Sequence, residues 1–368
     1  MSRFAERARK GIERCTVDDL PDLREFQKAM YGRPDDIPTA SLDWLFTDNP
    51  HRGADGLGLW ICRRDGRIVG QQAELALRVH AGDEDISSAA AIELVVEDAW
   101  RLKGVGHALS QVQQESTRLD VSLGMSNDAA KMYARRGWTD LGVIDEHLFL
   151  LSSTVVARLV KTDRTRVAAK AGLPALAGMV AATTAAAKAR RRGTRLVPIR
   201  AFDEWADRVW DLASPSYAVL ARRDAASLAW RYDQSPHAPL YRRYYLVDHG
   251  LPVGYVVVRP SAWRGARSLK VVDYLAAPRM VDRLMAHCVG LADEQGAAVV
   301  QLCTRNPAAT GRLRSLGFLP ASASVRFMIA TREGEPHEAL LSDPAAWFVT
   351  AGDADLEFVD LSVVESDG

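Results

Sequence analysis

The chain has 368 residues, which is long enough for two domains that each bury a hydrophobic core. Its 47 basic and 47 acidic residues cancel, which argues against a surface that holds nucleic acid along the whole chain. The cysteines at positions 15, 62, 288 and 303 lack metal or redox spacing, and no stretch has the hydrophobicity of a signal peptide or membrane span, so we expect a cytoplasmic protein without a membrane partner.

Helices and strands alternate along the first half, as hydrophobic periodicity and turn residues indicate. The predicted elements are, in order, a helix over about 17–30, a helix over about 39–46, strands over 57–62, 67–79 and 89–96, a helix after 106, a strand over 121–125, a helix over about 127–136 and strands through 138–151. A hairpin turn at Asp65-Gly66 joins the first two strands. This order predicts a mixed sheet with helices packed on it.

The most informative stretch is residues 92–107, Ile-Glu-Leu-Val-Val-Glu-Asp-Ala-Trp-Arg-Leu-Lys-Gly-Val-Gly-His. A buried strand, a turn rich in glycine and basic residues, and a helix follow one another here. Such a turn leaves several backbone N–H groups at the positive end of the helix dipole, where they can bind phosphate. Gly104 and Gly106 lack the Cβ that would keep a pyrophosphate away from the backbone.

Two motifs resemble those of the GNAT acyltransferases. Arg-Leu-Lys-Gly-Val-Gly at 101–106 is similar to the Gln/Arg-x-x-Gly-x-Gly/Ala pattern with which that family holds the pyrophosphate of acyl-coenzyme A. The preceding 96–100 resembles the family's Val-x-Pro-x-Tyr, with Asp98 where proline is usual. Residues 127–138 resemble Asn-x-x-Ala-x-x-Tyr-x-x-x-Gly-Phe. The motifs stand in the family's order, joined by one helix and one strand.

The resemblance implies a co-substrate, acetyl-CoA or another acyl-CoA, and no metal. The pyrophosphate would lie on the glycine turn, and the pantetheine arm would pair with the edge of the preceding strand, where the N–H of Val96 would polarise the thioester. Asn127 would cap its helix and touch the pantetheine. The residues expected to bind the co-substrate are Leu94, Val95, Val96, Arg101, Leu102, Lys103, Gly104, Val105, Gly106, His107, Asn127 and Tyr133.

Three residues are candidates for catalysis. Tyr133 occupies the family's general-acid position, and a phenol with a pKa of about 10 is protonated at neutral pH. The general base is Glu93 or Glu74, and a structural salt bridge is an equally good explanation of either carboxylate. Strand alternation would place Glu93 on the same face as Ala91 and Val95.

An internal repeat indicates a duplication. Residues 41–46 and Pro50 recur as 227–232 and Pro236, residues 68–70 recur as 252–254, and 127–138 recurs as 306–318. The second copy has no glycine pair at 276–283 and no equivalent of the tyrosine. We expect it to pack, to shape the substrate cleft or to form a homodimer.

The predicted fold class is therefore α/β (α+β), with two tandem GNAT-like domains that each contain a mixed, mostly antiparallel sheet flanked by helices. Residues 1–157 would form the catalytic domain, 158–200 a basic, alanine-rich helical linker and 201–368 the degenerate copy. Arg190, Arg191 and Arg192 would be solvated, although they could also form a basic patch for RNA or for an anionic carrier-linked substrate. The buried side chain of Trp347 would hold the tail.

The predicted function is acyl-CoA-dependent N-acyl transfer to a small-molecule amine, such as an amino sugar, an amino acid or a biosynthetic intermediate. The amine would attack the thioester directly, because no cysteine or serine stands in a nucleophile arrangement. Two alternatives remain open: an aminoacyl-tRNA-dependent acyltransferase of the tandem GNAT-like type, and a non-catalytic acyl-CoA-binding protein. The intact glycine turn argues against a tRNA donor, so nucleic acid is not the expected partner.

Overall fold

The computed structural model describes residues 8–31, 43–52, 57–158 and 173–354. Of the predicted helix over 39–46, residues 39–42 lie outside these ranges. The chain forms two compact units from interleaved segments. Unit 1 consists of Met1–Gly142, Gln234–Pro236 and Arg326–Pro344, and unit 2 consists of Val143–Asp233, His237–Val325 and Ala345–Gly368.

The long central strands are buried over most of their length, as expected of sheets covered by helices. They are, in chain order, β1 (Ile12–Arg14), β2 (Leu59–Arg64), β3 (Arg67–Ala81), β4 (Glu84–Val96), β5 (Leu119–Leu123), β6 (Thr139–Leu150), β7 (Thr194–Pro198), β8 (Val219–Ala221), β9 (Arg242–Asp248), β10 (Leu251–Trp263), β11 (Ala266–Ala276), β12 (Val299–Arg305), β13 (Leu319–Thr331) and β14 (Trp347–Thr350). The chain passes from unit 1 to unit 2 within β6 and returns within β13.

The helices are α1 (Leu20–Tyr31), α2 (Val105–Gln114), α3 (Asn127–Arg135), α4 (Ser153–Arg158), α5 (Leu173–Ala189), α6 (Glu204–Ala213), α7 (Ala225–Leu228), α8 (Val281–Glu294), α9 (Thr310–Leu316) and α10 (Glu338–Leu341). Two short segments, Asp43–Thr47 and Ala229–Asp233, are π-helical. Within the described ranges, every helix is too short or too polar to cross a membrane.

Unit 1 contains a sheet in the order β1-β2-β3-β4-β5-β13. The pair β4–β5 is parallel, and its neighbours are antiparallel. The predicted turn between β2 and β3 is confirmed, since Asp65 and Gly66 both have positive φ (49° and 80°), as a tight two-residue hairpin requires. The last strand comes from the second half of the sequence, with Phe327 of β13 opposite Leu123 of β5.

Helices cover both faces of this sheet because alternate residues of β2 point to opposite sides. Leu59 and Ile61 pack against Leu23 of α1, whereas Cys62 belongs to a cluster with Val105 of α2. All five side chains are buried. The end of β4 and the start of α2 are therefore anchored to the same core, which fixes the turn between them.

Unit 2 contains a sheet in the order β6-β12-β11-β10-β9-β7, in which β11 and β12 are parallel. Residues 194–198, predicted as part of a helical linker, form strand β7 and pair with β9. Their alternating, β-branched pattern explains the difference. The preceding alanine-rich residues do form a helix, α5.

The two copies of the sequence repeat have equivalent structural features. The two π-helical segments begin at Asp43 and Ala229, which are aligned in the sequence repeat. Gly70 lies opposite Val96 in the first copy, and Gly254 lies opposite Ala276 in the second. Glu93 lies three residues before Val96 on β4, and Asp273 lies three residues before Ala276 on β11. Glu93 and Asp273 therefore occupy equivalent positions in the two copies.

Candidate active site

Strands β4 and β5 separate in the middle of unit 1. Among the described residues, their parallel ladder ends where Ala90 lies opposite Val121. Strand β4 continues to Val96. The N–H of Glu97 donates to the carbonyl oxygen of Val69 on β3 (3.0 Å), so the backbone groups of Val96, one residue earlier, point toward the gap. The gap therefore presents a strand edge with which an extended ligand could pair.

A β-bulge interrupts β4 beside this edge. Ile92 lies opposite Ala73 and Val95 lies opposite Gln71, so Glu93 and Leu94 share a single partner position. Glu93 has a positive φ of 53°. The side-chain amide of Gln72 fills the break and donates to the carbonyl oxygen of Ile92 (2.7 Å).

The bulge corrects one prediction about Glu93. Simple alternation placed this carboxylate on the face shared by Ala91 and Val95, but the positive φ breaks the alternation. Ala91 is buried and Glu93 is exposed. The carboxylate thus reaches solvent next to the strand edge.

The turn from Trp100 to Gly104 leads directly into α2. Gly104 has a φ of 82° and is the N-cap, a conformation that side chains disfavour. Leu102 also has a positive φ (60°), and its side chain is fully exposed. The N–H of Ala108 is the first to bond into the helix, to the carbonyl oxygen of Gly104 (2.9 Å). The amides of residues 105–107 therefore have no intrahelical acceptor, and they form the donor set that phosphate requires.

Gly106 lies in the first turn of α2, where the protein has room for a larger side chain. A Cβ built there would lie 3.5 Å from Cγ2 of Val96 and 4.0 Å from Cδ1 of Leu94, both ordinary contacts. Its φ also lies outside the positive range that favours glycine. Packing within the protein therefore does not explain this glycine, whereas close approach of a ligand to the backbone would.

Basic side chains flank the turn. Arg101 donates from Nε to the carbonyl oxygen of Val96 (3.2 Å) and pairs with Asp98 (2.9 Å). Lys103 lies over the ring of Trp100, with Nζ 4.9 Å from the ring centre. The pKa of His107 lies below its usual value because of partial burial and the nearby charge of Arg136. Arg101 and Lys103 are exposed and could meet a diphosphate from solvent.

Tyr133 lies on α3 beside the separating strands. Its ring is buried and stacks on Trp138 with the ring centres 4.2 Å apart. The same cluster contains Ala91 of β4 and both Met328 and Ala330 of β13. Burial raises the pKa of Tyr133 above its usual value, so the phenol keeps its proton at neutral pH. A protonated hydroxyl at this position is able to act as an acid.

The predicted helix cap at Asn127 is wrong. The N-cap of α3 is Ser126, which has extended backbone dihedrals and accepts from the N–H of Ala129 at its Oγ (3.2 Å). Asn127 is already the first helical residue, and its side chain is exposed. Capping therefore does not account for this asparagine.

Glu74 lies in a buried polar cluster that the sequence did not predict. It accepts from Oγ of Ser116 (2.9 Å) and Nε2 of Gln113 (3.4 Å), and Arg14 lies 3.5 Å away. Gln113 also donates to Asp120 of β5. Burial raises the pKa of Asp120 to about 8. The sequence signal for this cluster was a carboxylate inside the apolar strand β5.

Unit 2 closes the corresponding gap with its own chain. The ladder between β11 and β12 ends at Val271 opposite Leu302, the equivalent of the separation in unit 1. Strand β14 pairs with β12 beyond this point, with Thr350 opposite Thr304. Trp347 is buried at the start of β14, as predicted for the tail.

A buried network fixes this closure at Asp273, the counterpart of Glu93. Asp273 accepts from Nε of Arg223 (3.1 Å), the hydroxyl of Tyr255 (2.8 Å) and Oγ1 of Thr350 (2.8 Å). Nη2 of Arg223 also donates to Asp353 (2.7 Å), just after β14. Side chains and a strand thus fill the position at which unit 1 presents an open edge.

Two of the three arginines after α5 are paired within unit 2. Arg190 lies 3.2 Å from Asp282, and Arg191 lies 3.6 Å from Glu294, both on α8. Lys188 pairs with Asp293 on the same helix (2.6 Å). Arg190 and Arg191 are therefore not simply solvated, because acidic residues of α8 offset their charge, whereas Arg192 is exposed as expected.

Comparison with known proteins shows the fold. No family model matches the sequence, and no curated protein sequence is similar to it. A GCN5-related N-acetyltransferase from Anabaena variabilis ATCC 29413 superposes with a TM-score of 0.59 at 11% identity, covering 87% of this chain and 72% of that chain. One from Kribbella flavida gives 0.58 at 15% identity, covering 87% and 70%.

The Saccharomyces cerevisiae N-myristoyltransferase with bound myristoyl-CoA is also similar in structure. It gives a TM-score of 0.53 at 11% identity and covers 89% of this chain and 80% of that chain. The prediction from the two motifs is confirmed at the level of the fold: the chain has the GNAT fold over most of its length.

Proposed function

We propose that this protein is an acyl-CoA-dependent N-acyltransferase whose donor binds to unit 1. The observation that carries the proposal is the junction of β4 and α2, where an open strand edge adjoins unpaired helix amides. The GNAT fold of the chain supports the same activity. Acetyl-CoA is the simplest donor.

The chain offers the diphosphate and the pantetheine arm of an acyl-CoA chemically suitable partners. The amides of Leu102, Gly104, Val105, Gly106 and His107 would hold the diphosphate, because they lie at a helix N-terminus. The positive charges of the residues at 101 and 103 would add attraction from solvent. The backbone of residues 94–96 would pair with the two amides of the pantetheine arm. The exposed side chain of Asn127 lies at the start of α3 and would touch the same arm.

Acid and base roles follow from burial and exposure. Tyr133, protonated within its apolar cluster, would donate its proton to the thiolate as the C–S bond breaks. Glu93 would accept the proton of the attacking amine through water, since its carboxylate is exposed beside the strand edge. Glu74 is the alternative base, although its oxygens already accept from Ser116 and Gln113. The N–H of Val96, directed at the gap, would stabilise the oxyanion.

Unit 2 would not bind a second donor. The gap between β11 and β12 is filled by β14 and by the network around Asp273. Residues 201–368 would thus be the degenerate copy, and residues 1–157 would carry the catalytic groups. Because Lys188 and Arg190 pair with acidic residues of α8, we propose a small-molecule amine as the acceptor rather than a nucleic acid.

A coenzyme A-release assay across amino sugars, amino acids and other amines tests the proposal. Purified protein is expected to release coenzyme A from acetyl-CoA with at least one amine class, and Tyr133→Phe is expected to lower the rate. Binding of acetyl-CoA without release for any amine would indicate a non-catalytic acyl-CoA-binding protein. Absence of binding would contradict the proposal.

A further inference from the structure

A cavity in unit 1 is lined by residues that lie outside strand β4. It has a volume of about 560 Å³ and opens between α2, the end of α3 and the end of β13. Its wall includes Gln114 of α2, Arg135 and Arg136 after α3, and Arg332 after β13. Of the residues assigned to the proposed donor site, His107 is the one that also lines this cavity.

The cavity contains a guanidinium that its surroundings satisfy only in part. Nη2 of Arg136 donates to Oε1 of Gln114 (2.6 Å), and the same oxygen accepts from Nε1 of Trp138 (3.2 Å). Nη1 of Arg136 is buried and has no hydrogen-bond partner among the described residues. An uncompensated cation is costly to bury, and a planar guanidinium is suited to two parallel bonds with one oxyanion.

The charge balance of the wall favours an anion. Asp120 lines the cavity, but burial raises its pKa to about 8, so it is mainly protonated at neutral pH. Glu115 is paired with Arg9. Glu333 is the remaining acidic residue of the lining, against Arg135, Arg136 and Arg332. The wall is therefore net positive.

We propose that this cavity is a binding site for a small oxyanion, a carboxylate or phosphate group. The guanidinium of Arg136 donates hydrogen bonds to the oxyanion, and Gln114 holds the guanidinium in position. Two sources could supply such a group: a free metabolite, or the 3′-phosphate of a bound coenzyme A. The chemistry of the site is the same for both.

Binding of inorganic phosphate, measured by calorimetry on the full chain, tests the site. Arg136→Gln is expected to weaken phosphate binding about 10- to 100-fold, because charge-assisted hydrogen bonds are lost. Arg326→Gln is the matched control, since Arg326 pairs with Asp140 outside the cavity and should bind phosphate as the unmodified protein does. Equal phosphate affinity in Arg136→Gln and the control would overturn the proposal.

A second variant keeps the test valid if Arg136→Gln fails to fold. Gln114→Glu preserves the oxygen that accepts from Arg136 and Trp138 and adds a counter-charge. It is expected to raise the melting temperature and to weaken phosphate binding about tenfold or more. A variant with unchanged affinity for phosphate would contradict the proposal, whatever its stability.

Coenzyme A and dephospho-coenzyme A separate the two sources. If Arg136→Gln weakens binding of coenzyme A but not of dephospho-coenzyme A, the oxyanion is the 3′-phosphate. If it weakens neither and still loses phosphate, the ligand is a free metabolite. Both results support the site. The phosphate measurement does not depend on acyl transfer, so the site is tested separately from the proposed function.

Discussion

Replacing Gly106 by alanine should separate ligand binding from folding. The added Cβ would lie 3.5 Å from Val96 and 4.0 Å from Leu94, so the protein itself has room for it. Alanine in a helix is more favourable than glycine by up to about 1 kcal/mol, so the free energy of unfolding should stay the same or rise. The new methyl group would stand where a diphosphate must approach the backbone. Loss of one charge-assisted bond costs about 1.5–3 kcal/mol, or a rise of about 10- to 150-fold in the Kd for acetyl-CoA.

The control for this substitution is Gly311→Ala. Gly311 is the second residue of α9, as Gly106 is of α2, and a Cβ there meets nothing within 4 Å. It should give a similar gain in melting temperature and no change in Kd. Titration calorimetry measures the affinity, and thermal unfolding measures the stability. Normal binding of acetyl-CoA by Gly106→Ala would show that no diphosphate approaches the backbone at this position. Unfolding of this variant would show that glycine is needed for packing.

Three further predictions follow from the contacts in unit 1. Tyr133→Phe should lower kcat about 10²- to 10⁴-fold while the KM for acetyl-CoA changes little, and unchanged kcat in steady-state assays would exclude this acid. Glu93→Gln should lower kcat more than Glu74→Gln does, whereas Glu74→Gln should lower the melting temperature because a neutral amide cannot form the ion pair with Arg14. A larger loss of kcat in Glu74→Gln would make Glu74 the base. In the folded state Asp120 keeps its proton up to about pH 8, whereas in the unfolded chain it loses this proton near pH 4. The stability contributed by Asp120 is therefore present in full below about pH 4 and is lost as the pH rises to about 8. Asp120→Asn should flatten this fall in thermal unfolding curves, and an unaltered pH profile would contradict the assignment.

Local chemistry made much of this fold predictable. The Asp65-Gly66 turn and the glycine turn before α2 depend on residues that adopt positive φ, and both are visible in a single sequence. The repeat was visible because the duplicated copies kept similar residues, including those of the paired π-helical segments. These features are encoded by neighbours along the chain.

The features that were missed depend on contacts between distant residues. The bulge at Glu93 is stabilised by the side chain of Gln72 on the next strand, so alternation along β4 alone predicted the wrong face. The closure of unit 2 needs Thr350 to reach Asp273. The contribution of β13 to the cluster around Tyr133 likewise joins residues nearly 200 positions apart. Periodicity within one segment carries no information on such pairings.

Amide hydrogen exchange with and without acetyl-CoA shows which unit binds the donor. We expect slower exchange at residues 102–107, at the start of α2, and unchanged exchange at residues 277–283, at the start of α8 in unit 2. Protection confined to residues 277–283, with residues 102–107 unaffected, would contradict binding of the donor to unit 1.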